Sequence, residues 1–312
     1  MQYKRLGKAG VKVSEFCLGC LTFGEQTDQA EATRIVQRAL DAGVNFFDTA
    51  DSYTQGRSEE ILGKILRGQR DSVVIATKVC SRVGEGPNDR GLSRKHIMES
   101  AERSLRRLQT DYIDLYQAHN FDPETPLEET LRTFDDLIHQ GKVRYIGCSN
   151  FTAWQLCKAL WVSDRHNLAQ YVSVQPRYSL ISREIEAELL PFCQEEGIGV
   201  IVYNPLAAGF LTGKYRKDTP PPPGTRFAIR DFYRPRYWSD RNFAAVERLQ
   251  ALSDSSGKSL VQLSLAWVLA NPAITSIIVG ASSAGQLQES LTAVEVKLTD
   301  EERHACDQLL ET

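Results

Sequence analysis

Residues 112–150, YIDLYQAHNFDPETPLEETLRTFDDLIHQGKVRYIGCSN, contain one full structural period of the chain. Two runs within it, Tyr112–Gln117 and Val143–Ser149, are too short for helices and rich in β-branched or aromatic residues, which predicts strands. Between them, Pro126–Gln140 opens with proline at its first turn and stops at Gly141, the start and stop chemistry of a helix.

The same alternation extends in both directions. Further strands are predicted at Phe16–Gly19, Val44–Asp48, Val73–Lys78, Tyr171–Gln175, Gly199–Asn204 and Ile274–Gly280. Helices are predicted at Asp28–Ala42, with an Asp cap and Gly43 behind it, at Ser93–Leu108 and at Glu184–Glu196 before Gly197. Eight strands, mostly separated by one helix each at a spacing of about 30 residues, match a closed (β/α)8 TIM barrel. The rival, an open doubly wound sheet, is disfavoured because no G-x-G-x-x-G or G-x-x-x-x-G-K-[ST] follows any strand.

Three segments fall outside the repeat. Residues 1–13 read as a hairpin turning at Gly7–Gly10 and closing the barrel floor. Lys214–Asp240 reads as a long loop containing four consecutive prolines, Pro220–Pro223. The helices Arg241–Ser256 and Ser259–Ala270 precede the eighth strand, and Ala284–Ala293 and Thr299–Leu310 follow it. A length of 312 residues would allow two domains, but α/β barrels of this size fold as one unit and no linker interrupts the pattern, so a single domain over 1–312 is expected.

The chain is 25% charged with a formal net charge of −3, so disorder is excluded and nothing electrostatic points to nucleic acid or an anionic membrane. The most apolar stretch, Gly197–Gly213, carries Asn204 and Pro205 in its middle and is no membrane span. Residues 1–10 lack a signal-peptide core. Seven scattered cysteines, an odd number, fit a reducing cytoplasm better than a disulfide framework. Cys17 and Cys20 have the spacing of a redox dithiol or half a zinc site. With no second pair and no neighbouring histidine, they read as small buried hydrophobes, and no metal is expected.

Polar residues end several of the strands: Asp48, Lys78, His119 just past Gln117, Ser149 with Asn150, Gln175, and Tyr203 with Asn204. A barrel gathers the C-terminal ends of its strands at one mouth, so these groups should converge there. His96, His139, His166 and His304 lie on helical or loop stretches and read as structural. A metal-dependent barrel hydrolase would need several ligands at the mouth, and only His119 and Asp48 qualify.

The segments carrying these residues resemble the aldo-keto reductases. The resemblance runs from KRLGKAGVKVSEFCLGCLTFG through NFFDTADSYTQGRSEEILGKIL, DYIDLYQAHNFD, KVRYIGCSNF, VSVQPRYSLI and VYNPLAAGFLTGKY to GASSAGQLQES. It implies an NADP(H)-dependent oxidoreductase that reduces small aldehydes or ketones by hydride transfer, without a Rossmann domain. Asp48, Tyr53, Lys78 and His119 match the family's four catalytic positions. Carbonyl reduction needs a proton at oxygen as well as a hydride at carbon, and a phenol with an ordinary pKa of about 10 can be tuned to supply it. Lys78 is expected to lower that pKa, Asp48 to orient the ammonium, and a neutral His119 to donate to the carbonyl oxygen.

The resemblance also implies a cofactor site. Ser149, Asn150 and Gln175 match positions that hold the nicotinamide carboxamide, and Tyr203 matches the aromatic that covers one ring face. The loop from Pro205 and Leu206 through Gly209 to Lys214 would cover the pyrophosphate, with Arg226 near the adenosine phosphate. Gly280-Ala-Ser-Ser leads into a helix whose exposed first amides suit the 2′-phosphate of NADP, with Ser282, Gln286, Glu289 and Ser290 lining the pocket. Gln286 stands where the better-studied branch has Arg, and Ser290 replaces a common Asn. Gln at that position also occurs in NADP-binding relatives, so NADPH is the favoured cofactor and NAD the second choice.

The FLTGKY loop and the GASS segment look like the branch that includes potassium-channel β subunits and bacterial sugar or glyceraldehyde-phosphate reductases. With little chain after Leu310, substrate selection is expected from Phe23–Thr27, Arg82–Gly91, Asn120–Pro123 and the proline loop. The remaining charges of that last loop, Arg216, Lys217, Arg230, Arg234 and Arg236, are expected to form a solvated flap, with contact to an anionic substrate as the alternative. A monomer or homo-oligomer is expected. The alternative function is a redox-sensing regulatory subunit that binds NADP(H) and turns over very slowly.

Overall fold

A computed structural model describes residues 1–311 of the protein. The first two strands, β1 (Tyr3–Arg5) and β2 (Lys12–Ser14), pair antiparallel. The other eight are β3 (Phe16–Gly19), β4 (Phe46–Asp48), β5 (Val74–Val79), β6 (Ile113–Ala118), β7 (Val143–Ser149), β8 (Tyr171–Gln175), β9 (Gly199–Tyr203) and β10 (Ser276–Gly280). They form a closed parallel barrel in sequence order, with β10 pairing both β9 and β3. This is the (β/α)8 TIM barrel expected from the alternation of strands and helices.

Helices surround the barrel because each carries one apolar stripe that must be buried against the strands. Gln29–Asp41 buries Ala32, Ile35, Val36 and Ala39, spaced along one face, and Asp28 caps it by accepting from the Glu31 N–H. The hairpin closes the floor as expected. Leu6 and Val13 are fully buried among residues of the barrel interior. Gly7 turns there with φ +60°, and a Cβ on it would lie 2.6 Å from the carbonyl oxygen of Val172. Only glycine fits that approach.

Local chemistry explains the departures from the predicted elements. The helix predicted over Glu184–Glu196 is a short turn, Glu184–Glu186, followed by a helix, Leu189–Glu196. Pro191 lacks an N–H and is tolerated only within a first turn, so the helix starts just before it. Two helices escaped the sequence reading, Arg57–Ile65 and Ala153–His166. The second exposes Trp154 and Trp161, which blur its apolar stripe. Lys214–Asp240 is not a simple loop. It contains the short helices Arg226–Ile229 and Arg234–Tyr237, and Phe227, Tyr233 and Tyr237 are buried. No helix among the described residues is long and apolar enough to cross a membrane.

Candidate active site

Side chains along a strand alternate between the barrel interior and the surrounding helices. An apolar layer of Cys17, Phe46, Val74, Ala76, Leu115, Ile201 and Ile278 fills the interior. Two residues further along the same faces come Asp48 after Phe46, Lys78 after Ala76, Gln117 after Leu115 and Tyr203 after Ile201. Parallel register holds these ends level, with Lys78 opposite Gln117 and Ser149 opposite Gln175. Closure of the sheet therefore converts a period of two in the sequence into a ring of polar groups at the mouth.

Lys78 is the hub of that ring. Its Nζ donates to Asp48 Oδ1 at 2.6 Å, to the Thr49 carbonyl at 2.8 Å and to the Tyr53 hydroxyl at 3.2 Å. The other Asp48 oxygen accepts from Gln175 at 2.8 Å and Gln117 at 3.3 Å. Lys78 and Asp48 are 0% and 3% exposed at the side chain, so this ion pair is buried, with Asp48 reaching the cavity wall. Tyr53 projects from the turn after β4, where Thr54 and Gln55 adopt φ of 49° and 56°. Such left-handed residues are strained, and here they aim the phenol back over the barrel. His119 follows β6, with its ring 5.8 Å from that of Tyr53 in an edge-on arrangement. Its Nδ1 lies 3.3 Å from the Ser81 hydroxyl. The four expected catalytic residues thus meet around one cleft.

Burial and charge set their protonation. Burial is the largest influence on Tyr53 and outweighs the opposing pull of Lys78, so the phenol sits above its ordinary pKa. The sequence-based expectation of a lowered value is corrected on this point, because it weighed the ammonium but not the desolvation. Burial also works against the charge on Lys78, yet Asp48 and Tyr53 together hold the ammonium above its usual range. His119 is pushed down to about 3, by burial first and then by the Lys78 charge, so its imidazole is neutral.

A cavity of about 290 Å³ opens over this group, lined by Asp48, Tyr53, His119, Ser149, Asn150, Gln175 and Tyr203. The would-be carboxamide ligands are engaged with one another. Ser149 Oγ donates to the Gln175 carbonyl at 2.8 Å, Tyr203 donates to Asn150 Oδ1 at 2.8 Å, and Asn150 Nδ2 donates to the His119 carbonyl at 3.0 Å. A second cavity of about 440 Å³ is lined by Pro205, Leu206, Gly209 and Lys214 on one side. Ser282, Gln286, Glu289 and Ser290 line its other side. Asn204, Arg226, Ile278 and Gly280 lie on both walls, so the two cavities join into one trough.

The trough suits a dinucleotide. Its shared Arg226 and the neighbouring Lys214 form no ion pair with a carboxylate among the described residues, leaving cations for phosphates. One expectation is revised. The first amides of the helix Ala284–Thr292 are not open: Gln286 Oε1 accepts from the Ser282 N–H at 3.0 Å, and Glu31 accepts from the Ala284 N–H at 2.7 Å. The sequence reading also gave no role to Gln117, Thr49 or Ser81. Gln117 shares its strand face with Leu115, and that parity was the available signal.

A family model described as the aldo/keto reductase family matches residues 15–311. A probable voltage-gated potassium channel subunit beta of Arabidopsis thaliana is 43% identical, over 95% of this chain and 92% of that protein. The uncharacterized oxidoreductase YrpG of Bacillus subtilis (strain 168) is 41% identical, over 96% and 93% respectively. The versiconal hemiacetal acetate reductase of Aspergillus parasiticus is 35% identical, over 97% and 95%.

Proposed function

The chain belongs to the aldo/keto reductase family and is an oxidoreductase, and from that premise we propose that it reduces small aldehydes or ketones to alcohols with NADPH. A reduced nicotinamide bound at the mouth supplies the hydride for the carbonyl carbon. Ser149, Asn150 and Gln175 orient its carboxamide, exchanging part of their present hydrogen bonds for it. Tyr203 covers one ring face. Pro205, Leu206, Gly209, Lys214 and Arg226 follow the pyrophosphate, and Gly280, Ser282, Gln286, Glu289 and Ser290 line the adenosine end.

Tyr53 gives its proton to the carbonyl oxygen as the alcohol forms. Its raised pKa keeps the phenol protonated until that moment. The Lys78 ammonium, 3.2 Å away, then stabilises the phenolate left behind, and Asp48 holds the ammonium in place. Ser81 Oγ lies 3.3 Å from His119 Nδ1, and in the tautomer in which the hydroxyl donates there, His119 carries its proton on Nε2 and donates to the same carbonyl oxygen.

The observation that carries this reading is Lys78 bridging a buried carboxylate and the Tyr53 phenol on the wall of a cleft shared with a neutral histidine. NADPH oxidation with 4-nitrobenzaldehyde, methylglyoxal and glyceraldehyde tests it. Tyr53→Phe should lower the rate about 10²- to 10⁴-fold while fluorescence titration shows NADPH still binding. Turnover that survives the substitution contradicts the assignment. Titration with NADH beside NADPH tests the cofactor preference.

A second reading draws on the printed names of two relatives, channel β subunits at 43% and 42% identity. On it, the chain senses redox state through bound NADP(H) and turns over very slowly. Tight NADPH binding with no turnover across the aldehyde panel would favour it.

A further inference from the structure

Asp48 on β4, Gln117 on β6 and Gln175 on β8 come from alternate strands of the barrel. Alternate strands contribute their inward side chains to one layer, so these three meet although no two of their strands pair. All three are buried, Gln117 completely. Asp48 and Gln175 reach the wall of the cavity that holds Tyr53 and His119, whereas Gln117 does not. The proton and hydride transfers described above give Gln117 no task.

Charge decides how the two amides face. Paired with the Lys78 ammonium, the Asp48 carboxylate only accepts hydrogen bonds. Its Oδ2 therefore draws the Nε2 end of both amides toward it, Gln175 at 2.8 Å and Gln117 at 3.3 Å. The Gln117 oxygen in turn accepts from Gln175 Nε2 at 3.4 Å. Both N–H groups of Gln175 are thus turned into the barrel, and its Oε1 is left on the other side. That oxygen has no hydrogen-bond partner among the described residues. It is not sealed in the interior like the orphaned oxygens of Asp51, so it opens onto the cavity.

Each member of this triangle depends on the other two. Without the Gln117 oxygen, one N–H of Gln175 would be a buried donor with no partner, a costly state. Swinging the amide toward the cavity would relieve it, at the expense of the orientation of Oε1.

We propose that Gln117 is a positioning residue for the nicotinamide: it fixes the Gln175 amide so that Oε1 faces the cavity and accepts from the carboxamide N–H of the cofactor. The inference rests on the reading that a nicotinamide dinucleotide binds at this mouth. It adds a residue that touches neither cofactor nor substrate.

The test uses two dinucleotides, NADP⁺ and its 3-acetylpyridine analogue, in which a methyl ketone replaces the carboxamide and removes the N–H donors. Calorimetric titration of the native protein should show NADP⁺ binding about three- to tenfold tighter, the usual worth of one neutral hydrogen bond. Gln117→Met, close in volume but unable to accept, should collapse most of that ratio. Gln175→Met should do the same, and the double variant should add nothing further, as expected of residues that act as one unit. Gln117→Glu keeps an acceptor toward Gln175 and should keep the ratio. A merely structural role predicts the reverse, because methionine suits a buried position better than a carboxylate does. If Gln117→Met does not fold, Gln117→Asn takes its place, since it is one methylene too short to hold both bonds, and the expectation is the same. A native ratio near one, a ratio that survives removal of the Gln117 side-chain contacts, or equal loss in Gln117→Glu overturns the proposal.

These titrations read binding alone, which separates them from the parent reading. If the ratio collapses as expected in a protein that reduces no aldehyde, the role of Gln117 stands and the carbonyl-reductase reading falls. A native protein that binds neither dinucleotide overturns both.

Discussion

The mouth of the barrel has two sides built on opposite electrostatic plans. On the β4–β5 side, the central charge has its counter-charge within the protein: Lys78 meets Asp48, and Asp48 is further held by Gln117 and Gln175. On the side of Lys214–Asp240, Arg226 and Arg236 face the cavities without a carboxylate partner among the described residues and rest near aromatic rings. Partners supplied by the fold fix a group's position and protonation before any ligand arrives. Missing partners leave a charge whose best complement is a ligand. One side is arranged for chemistry, the other for recognition.

The strongest way to break this contrast is Lys78→Met. It leaves a buried carboxylate without its counter-charge, which typically costs about 3–5 kcal/mol, and it removes the support of the phenolate. The rate should fall about 10²- to 10⁴-fold, and urea denaturation should show the lost stability. Adding Asp48→Asn should recover much of the stability and little of the rate. A stable Lys78→Met protein with full activity would show that this side is not sealed.

A smaller effect is expected on the open side. Arg226→Gln should weaken NADPH binding about tenfold, the usual worth of one charge-assisted hydrogen bond. Binding by the native protein should also weaken with salt, because exposed charges are screened and buried ones much less. Binding insensitive to both changes would place the phosphates elsewhere.

The smallest expected effect is a flat line. His119 is pushed down to about 3 and Tyr53 lies above its ordinary value, so neither titrates between pH 6 and 9. The reduction kcat/KM should stay level across that window and fall only at higher pH, as the phenol loses the proton it must donate. An inflection near 6.5 that disappears in His119→Gln would contradict the neutral imidazole.

The catalytic side was largely legible in the sequence, and the recognition side was not. Asp48, Lys78 and Gln117 follow from strand parity once a closed barrel is assumed, because each lies two residues beyond an interior apolar residue. His119, just past β6, stood among the polar groups at the strand ends, whereas Tyr53, in the turn after β4, was found through the family resemblance. The upward shift of the Tyr53 pKa depends on how completely the phenol is buried, which no local pattern encodes. Lys214–Asp240 looked like a solvated loop because its prolines and arginines dominate locally. Its fold comes from contacts of Phe227 with Phe210, which precedes the segment, and with Tyr215 at its start. The capped amide of Ala284 shows the same limit, since its partner Glu31 lies 253 residues away in the chain.

The most direct test of the central claim follows one hydrogen. Wild-type protein is given 4-nitrobenzaldehyde with each of the two C4-deuterated epimers of NADPH, and the alcohol is analysed by mass spectrometry and NMR. With a carbonyl held at Tyr53 and His119 and Tyr203 covering one ring face, a single epimer should pass its deuterium to the carbinol carbon. An alcohol without deuterium, or with equal label from both epimers, would contradict hydride transfer at this site.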